Sequence, residues 1–93
     1  MDIRSLREKI NRVDDQMVSL LKERMEIALE IARYKKENGL AIYDPARERA
    51  VVERLTAGCG EAASRAIEKL YETLFDISRE QQRRFMEEDE NRG

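Results

Sequence analysis

Apolar residues recur every three or four positions through the first third of the chain, the spacing that keeps side chains on one face of an α-helix. This stripe predicts a first helix from about Asp2 to Glu37. The helix is expected to end at Asn38-Gly39, because both residue types tolerate the positive φ of a helix C-terminus. The stripe consists of Ile3, Leu6, Ile10, Val13, Met17, Leu20, Ile27, Ile31 and Tyr34, with the charged Arg24 among them.

Two further helices are predicted by the punctuation in the rest of the chain. Asp44-Pro45 is typical of an N-cap followed by the first helical position, and it predicts a short second helix ending near Ala57. Gly58-Cys59-Gly60 breaks the pattern, and a third, medium-length helix is expected from about Glu61 to Glu88, before a frayed tail over residues 88–93. The expected class is therefore all-α. The apolar positions are Val51, Val52, Leu55, Ile67, Leu70, Tyr71, Leu74, Phe75, Ile77 and Phe85.

The first helix is too long for its apolar stripe to be covered within one chain. At about 1.5 Å per residue it would extend for some 50 Å, whereas the second helix would extend for only about 20 Å. The rest of the stripe requires a second chain, and two long helices running antiparallel would close the core. We therefore expect an intertwined, two-fold symmetric homodimer. Such a dimer need not be an enzyme: the alternative is a helical dimer without catalytic function, such as a dimerisation or regulatory module.

Composition and charge exclude several functional classes. The 93 residues are 41% hydrophobic and 41% charged, which indicates a single soluble domain over residues 1–93. The 18 basic and 20 acidic residues are interspersed and give a net charge of −2, so no nucleic-acid partner is expected. Neither a secretory signal nor an apolar run near the roughly 18 residues of a membrane span is visible. We expect a cytoplasmic protein without membrane contact.

Cys59 is the only cysteine, and the chain has no histidine. An internal disulfide, a Cys/His zinc site and a Ser-His or Cys-His nucleophile pair are therefore excluded. Cys59 lies between two glycines and is interpreted as an incidental loop thiol. No metal ion and no cofactor are expected.

Arg24 places a guanidinium where the stripe should present hydrocarbon. Burying an arginine without a partner costs several kcal/mol, as an order of magnitude, because its charge cannot be lost by deprotonation. An anionic group is therefore expected to meet Arg24 inside the fold. Position 24 alone is equally compatible with an internal ion pair to a glutamate such as Glu48, or with a side chain that extends to solvent.

Further polar residues lie on faces that should be buried. Lys35 follows Arg24 by eleven residues, which is about three turns, so both cations project from one face about 16 Å apart along the axis. Ser78 and Gln82 are four residues apart and interrupt the apolar row of the third helix. Two long cationic side chains can converge on one small ligand. For Ser78 or Gln82 taken separately, a solvated edge of the stripe remains the simpler interpretation.

Arg47 and Glu48 lie in the first turn of the second helix, where free backbone amides can meet an anion or a hydroxyl. An ordinary surface ion pair is the alternative for Arg47. Arg7 precedes Arg24 by seventeen residues, about 25 Å along the same helix, too far to reach the same small molecule. In an antiparallel dimer, the partner subunit's Arg7 could reach this ligand. Taken alone, Arg7 is also typical of a solvated surface charge.

Together these residues resemble the all-helical, AroQ-type chorismate mutases over nearly the whole chain. That resemblance implies an entwined all-α dimer with two equivalent sites, each completed by an arginine of the partner. It also implies the Claisen rearrangement of chorismate to prephenate, the committed step toward phenylalanine and tyrosine. The matching residues are, in order, Leu6-Arg7-Glu8-Lys9-Ile10 with Asp14, Glu23-Arg24, Lys35, Asp44 with Arg47-Glu48-Arg49, and Ser78 with Gln82.

By this resemblance, the two carboxylates of the substrate would be bound by cations from both chains. Arg24 and the partner subunit's Arg7 would hold them, and Arg47 and Ser78 would support the same anionic groups. Bidentate guanidinium groups clamp planar carboxylates in position and orientation, which suits a flexible dianion. This part of the site would select the compact conformer that reacts.

The resemblance assigns the remaining residues to the ether oxygen and the ring hydroxyl. Lys35 and Gln82 would donate hydrogen bonds to the ether oxygen as negative charge grows there in the transition state. Glu48 would hold the hydroxyl, helped by the backbone near Asp44, whose side chain would order the helix start. A pericyclic step needs no nucleophile, which agrees with the missing histidine. Because Gln82 does not titrate, activity should persist above neutral pH.

A related activity on the same fold, removal of pyruvate from isochorismate, would use a similar cationic pocket. Glu48 and the full set of arginines favour the mutase over this lyase. The connection Gly58-Cys59-Gly60 is shorter than in the bacterial form of the family. A shorter connection could shift the third helix relative to the second, but it does not change the identity of Ser78 and Gln82.

Overall fold

The computed structural model describes residues 2–92 of the chain, with side chains described for residues 2–88. It contains three helices, α1 (Ile3–Glu37), α2 (Pro45–Thr56) and α3 (Glu61–Arg92), and no strand within residues 2–92. The all-α prediction with three helices is confirmed.

Capping residues start and stop the helices, and all of them except Asp2 follow the sequence prediction. Before α1, the Asp2 carboxylate accepts a hydrogen bond from the Ser5 amide at 2.8 Å, and before α2 the Asp44 carboxylate accepts one from the Arg47 amide at 3.1 Å. Such caps pair amides that have no partner within the helix. Gly39 after α1 and Gly58 after α2 have φ values of 63° and 76°, where a side chain would be strained.

Helix α3 is longer than expected, because it runs four residues beyond the predicted end at Glu88. With 32 residues it is nearly as long as the 35 residues of α1. The physical reason is that no glycine or proline interrupts the chain between Glu61 and Arg92, so the hydrogen-bonded ladder can continue through the charged tail. The prediction of a frayed tail also concerns Gly93 and the side chains beyond Glu88. These lie outside the described residues.

Helix α3 is the element against which both other helices pack. Ala28 and Ala32 of α1 are the only buried hydrophobic residues among the described side chains. The Gln81 side-chain amide of α3 also donates to the Met25 carbonyl oxygen of α1 at 2.9 Å. The resulting body measures 59 × 28 × 14 Å, so the chain is elongated and thin.

The apolar stripe of α1 remains uncovered within the single chain. Ile3 and Ile10 are 62% and 60% exposed, and Leu20 is 63% exposed. A helix of 35 residues thus presents large hydrophobic side chains to solvent on the face that the sequence marked as a core face. Within the described residues, no helix is long and apolar enough to cross a membrane.

Candidate active site

Arg24 is half-buried and points from α1 toward α3. Its Nη1 donates to the Ser78 hydroxyl at 2.6 Å, and its guanidinium carbon lies 5.8 Å and 6.0 Å from the ring centroids of Tyr71 and Phe75. A cation over ring faces is attracted by their negative π surface. These contacts on α3 fix the direction of the guanidinium, and its partners among the described side chains are neutral. No ion pair joins Arg24 to Glu48 within residues 2–88, where Glu48 pairs with Arg79.

Lys35 is held by the connection between α1 and α2. Its ammonium group donates to the Ile42 carbonyl oxygen at 2.7 Å, and the side chain is half-buried. The connection turns back at Asn38 and Gly39, where the Leu40 amide bonds the carbonyl oxygen of Lys35 at 2.8 Å. An ammonium group has three N–H donors, so one bond to backbone leaves donors for a ligand.

Gln82 lies one turn beyond Ser78 on α3 and is only 6% exposed. Its Oε1 is buried and has no hydrogen-bond partner among the described residues. Leaving such a group unpaired costs about 1–3 kcal/mol. Because an amide can turn to present either its oxygen or its NH₂ group, Gln82 is available to a ligand as donor or acceptor.

The first turn of α2 contributes Asp44, Arg47 and Glu48. The Asp44 side chain caps the helix, Arg47 is exposed, and Glu48 is half-buried. The Glu48 carboxylate accepts a hydrogen bond from Nη1 of Arg79 on α3. This ion pair joins α2 to α3 at the side of the site.

Arg79 is the residue that the sequence analysis missed. Its Nη2 donates to Asp76, and its guanidinium carbon lies 5.0 Å from the centroid of the Tyr43 ring. The pKa of Arg79 is raised above its ordinary value, chiefly by the hydrogen bond to Glu48. A raised arginine pKa means that the stabilisation by this pair is fully present below the ordinary value and is lost only at higher pH. The spacing of Asp76 and Arg79 was the available signal, since side chains three apart meet on a helix.

These residues border one cavity of about 370 Å³, to which all three helices contribute. Its polar wall carries four cationic side chains against two carboxylates, although the whole chain is slightly negative. Seven of the predicted site residues and Arg79 line it, so the structure brings together Arg24, Lys35, Asp44, Arg47, Glu48, Ser78, Gln82 and Arg79. The apolar wall consists of Ile27, Ala28, Ile31, Ile42, Val51 and Phe75.

Such a cavity is suited to a small anion with an apolar body. Three arginines and a lysine attract negative charge, while the amide of Gln82 and the carboxylate of Glu48 can fix neutral polar groups. The short connection between α2 and α3 does not displace Ser78 or Gln82 from the wall.

Residues 6–83 match the sequence pattern of the family described as chorismate mutase type II. The chain belongs to this family. The resemblance noted in the sequence is thereby confirmed, and the match includes α2 and all the predicted site residues. The individual roles of those residues stay predictions.

Similar proteins support membership in this family. The chorismate mutase of Methanocaldococcus jannaschii is 28% identical over 90 residues, which cover 95% of this chain and 91% of that protein. A bifunctional chorismate mutase/prephenate dehydratase of Aquifex aeolicus is 35% identical over 54 residues, 58% of this chain and 15% of that protein. A 3-dehydroquinate dehydratase of Pyrobaculum aerophilum is 44% identical over 50 residues, 54% of this chain and 17% of its own length. The matched segments thus form only a small part of these two longer proteins.

Arg7 does not line the cavity. It is exposed on α1, and at about 1.5 Å per residue it lies some 25 Å from Arg24 along the helix. Within one chain, therefore, this member of the predicted site is separated from the other seven.

Proposed function

We propose that this chain is a chorismate mutase, an isomerase that converts chorismate to prephenate in the biosynthesis of phenylalanine and tyrosine. The observation that carries the proposal is the cavity in which Arg24, Lys35, Glu48, Ser78 and Gln82 converge from three helices. Family membership gives the reaction, and the cavity's excess of cations suits a dianionic substrate. The cytoplasmic location stays a prediction, which fractionation of the source cells would test.

Binding of the two carboxylates is the first task of such a site. Arg24 would bind one of them. Ser78 and the aromatic rings already set the direction of its guanidinium, so its side chain loses little conformational freedom on binding. Arg47, exposed at the mouth of the cavity, would meet the substrate's negative charge as it enters. Holding a flexible dianion in its compact conformer brings the two carbon atoms that will bond within reach of each other.

The rearrangement breaks the carbon–oxygen ether bond as the new carbon–carbon bond forms, with all electrons staying within the substrate. Negative charge grows on the ether oxygen in the transition state. Lys35 and the Gln82 amide would donate hydrogen bonds to this oxygen; the Lys35 ammonium group is already held by the Ile42 carbonyl oxygen, and Gln82 lines the same cavity. Donors placed in advance around a developing charge contribute several kcal/mol, as an order of magnitude, to transition-state stabilisation.

A homodimer would complete the site. Seven of the predicted residues line the cavity of one chain, and the partner subunit's Arg7 would supply the eighth. The uncovered stripe of α1 supports this assembly, because a second antiparallel α1 would bury side chains such as Ile10 and Leu20. The same packing would carry the N-terminal part of one α1 toward the middle of the other.

The experiment that tests the proposed function mixes the purified protein with chorismate and follows the loss of ultraviolet absorbance, with the product identified by chromatography. The wild type should form prephenate and Lys35→Ala should not. Lys22→Ala is the matched control, because Lys22 is an exposed lysine of α1 outside the cavity wall. It should retain wild-type turnover, with helix content unchanged in both variants.

Other outcomes would reject the proposal. Release of pyruvate from isochorismate without formation of prephenate would assign the chain to the lyase. Inertness toward both substrates, with a dimer weakened by Lys35→Ala, would indicate a structural helical module.

A further inference from the structure

The ion pair between Arg79 and Glu48 forms part of the cavity wall, and its arginine lies outside the set of residues that the family resemblance assigned. Both side chains are mostly buried, with 18% and 23% of their surface exposed. Arg79 also binds Asp76, which is 67% exposed. Its two terminal nitrogens are thus divided between a carboxylate in the cavity wall and a carboxylate at the surface.

Glu48 has space on two sides. Besides the main cavity, it borders a second groove of about 320 Å³ between α2 and α3. Arg79 and Phe75 border both spaces as well, so these side chains form the partition between them. An unrestrained glutamate could turn into either space, because its side chain has several rotamers of similar energy.

Arg79 is itself restrained from three directions. Asp76 lies one turn earlier on the same helix, Glu48 lies on α2, and the Tyr43 ring in the connection before α2 stacks on the guanidinium. A planar guanidinium with fixed partners defines where a bound carboxylate lies. The position of the Glu48 carboxylate is therefore set by α3 and the Tyr43 connection, in addition to its own helix.

Charge gives Arg79 a second effect. A bare carboxylate at Glu48 would repel a dianionic substrate in the same cavity, and solvent screens this repulsion less at a mostly buried side chain than at the surface. The adjacent guanidinium offsets that charge. The carboxylate still has free lone pairs, because an ionised carboxylate accepts about four hydrogen bonds and Arg79 uses one.

We infer that Arg79 is a positioning residue of the active site: it holds the Glu48 carboxylate toward the main cavity and offsets its charge, so that Glu48 can accept a hydrogen bond from the substrate's ring hydroxyl. The inference rests on the proposed function. Arg79 itself does not touch the substrate and acts through Glu48.

A double-mutant cycle tests this inference. Arg79→Gln should lower kcat/KM for chorismate by about tenfold to hundredfold, because a displacement of about 1 Å in a site can cost that much. In a Glu48→Gln background the same substitution should change kcat/KM by less than about twofold, since the carboxylate that Arg79 positions is gone. Arg79→Lys, which keeps the charge but not the planar fork, should lie between Arg79→Gln and the wild type.

The controls separate positioning from a general effect on folding. Arg84→Gln removes an arginine five residues further along α3 that pairs with Glu80 at the surface, and it should leave kcat/KM unchanged. Circular dichroism and thermal unfolding are measured for every variant. If Arg79→Gln does not fold, the same cycle is run with Arg79→Lys.

The inference is overturned if Arg79 substitutions leave kcat/KM at the wild-type value, or lower it equally with and without the Glu48 carboxylate. Either result in an active wild type would leave the proposed function standing. A wild type that forms no prephenate would instead reject the proposed function, and the inference with it.

Discussion

At the scale of single residues, the contact between Arg24 and Ser78 shows how a neutral group can direct a charged one. Ser78→Ala would remove the hydroxyl acceptor while leaving Tyr71 and Phe75 beside the guanidinium. Hydrogen bonds to charged groups contribute about 1.5–3 kcal/mol, so kcat/KM for chorismate should fall by about tenfold or more. Steady-state kinetics would measure this loss. Thr73→Ala is the control, because the exposed Thr73 hydroxyl bonds only a carbonyl oxygen of its own helix; equal effects of the two variants would contradict the assigned role.

The residue type at position 82 determines how kcat/KM should depend on pH. The amide does not titrate, so wild-type kcat/KM should persist from neutral pH to about pH 9. In Gln82→Glu, the acid would have to be protonated to donate to the ether oxygen, and burial favours the protonated form of a carboxylic acid. Its activity should therefore be present at acidic pH and fall as pH rises. Profiles of kcat/KM against pH would test both statements, and a wild type active only in acid would refute the role of Gln82.

The site residues that could be predicted from the sequence are those that depart from a local pattern. Arg24 interrupts an apolar stripe and Ser78 and Gln82 interrupt another, and these patterns need no knowledge of tertiary contacts. Arg79 interrupts no apolar row, and its spacing from Asp76 does not single it out, because Arg83 and Arg84 are equally plausible partners for a glutamate elsewhere in the chain. Its selection depends on how α2 packs against α3, which residue spacing does not determine.

At the scale of helices, boundaries were predictable wherever a capping residue gives a local signal. Asp44-Pro45 begins α2 and Gly58 follows its end, since these residues act within one turn of where they stand. The predicted end of α3 at Glu88 is wrong, because a run of charged residues does not by itself end a helix. Glutamate and arginine are good helix formers, and the helix continues to Arg92.

The cap of α2 leads to a prediction at this scale. Asp44→Ala would leave the Arg47 amide without its acceptor and should lower the free energy of unfolding by about 1 kcal/mol. Because Arg47 and Glu48 stand in the turn that Asp44 orders, kcat/KM should fall as well. Asp44→Asn keeps a capping oxygen without the charge and should retain both stability and activity within about twofold. Loss of activity in Asp44→Asn at full stability would instead assign the carboxylate a direct role at the substrate.

At the scale of the whole molecule, the single chain buries little. Ala28, Ala32 and Gln82 are the only buried residues among the described side chains, and large apolar residues remain exposed along α1. We therefore predict that folding is coupled to dimerisation, so that the midpoint of thermal unfolding should rise with protein concentration. Calorimetry or circular dichroism over about a hundredfold range of concentration would measure this rise. A midpoint independent of concentration, together with a monomeric mass in solution, would contradict the dimer.

A mixing experiment tests the dimer and the shared site together. Arg7→Ala and Arg24→Ala should each be nearly inactive as pure proteins, because every site would then lack one of the two arginines proposed to bind the carboxylates. In a mixed dimer, however, one site combines an intact Arg24 with the partner subunit's Arg7, and the other site lacks both. Random exchange at equal amounts makes half of the dimers mixed, so about a quarter of the wild-type activity should return. Recovery must follow exchange of subunits by joint unfolding and refolding. If the mixture stays as inactive as its components while it forms stable dimers, Arg7 and Arg24 act within the same chain. An Arg7→Ala variant that is fully active by itself would show instead that Arg7 has no part in the site.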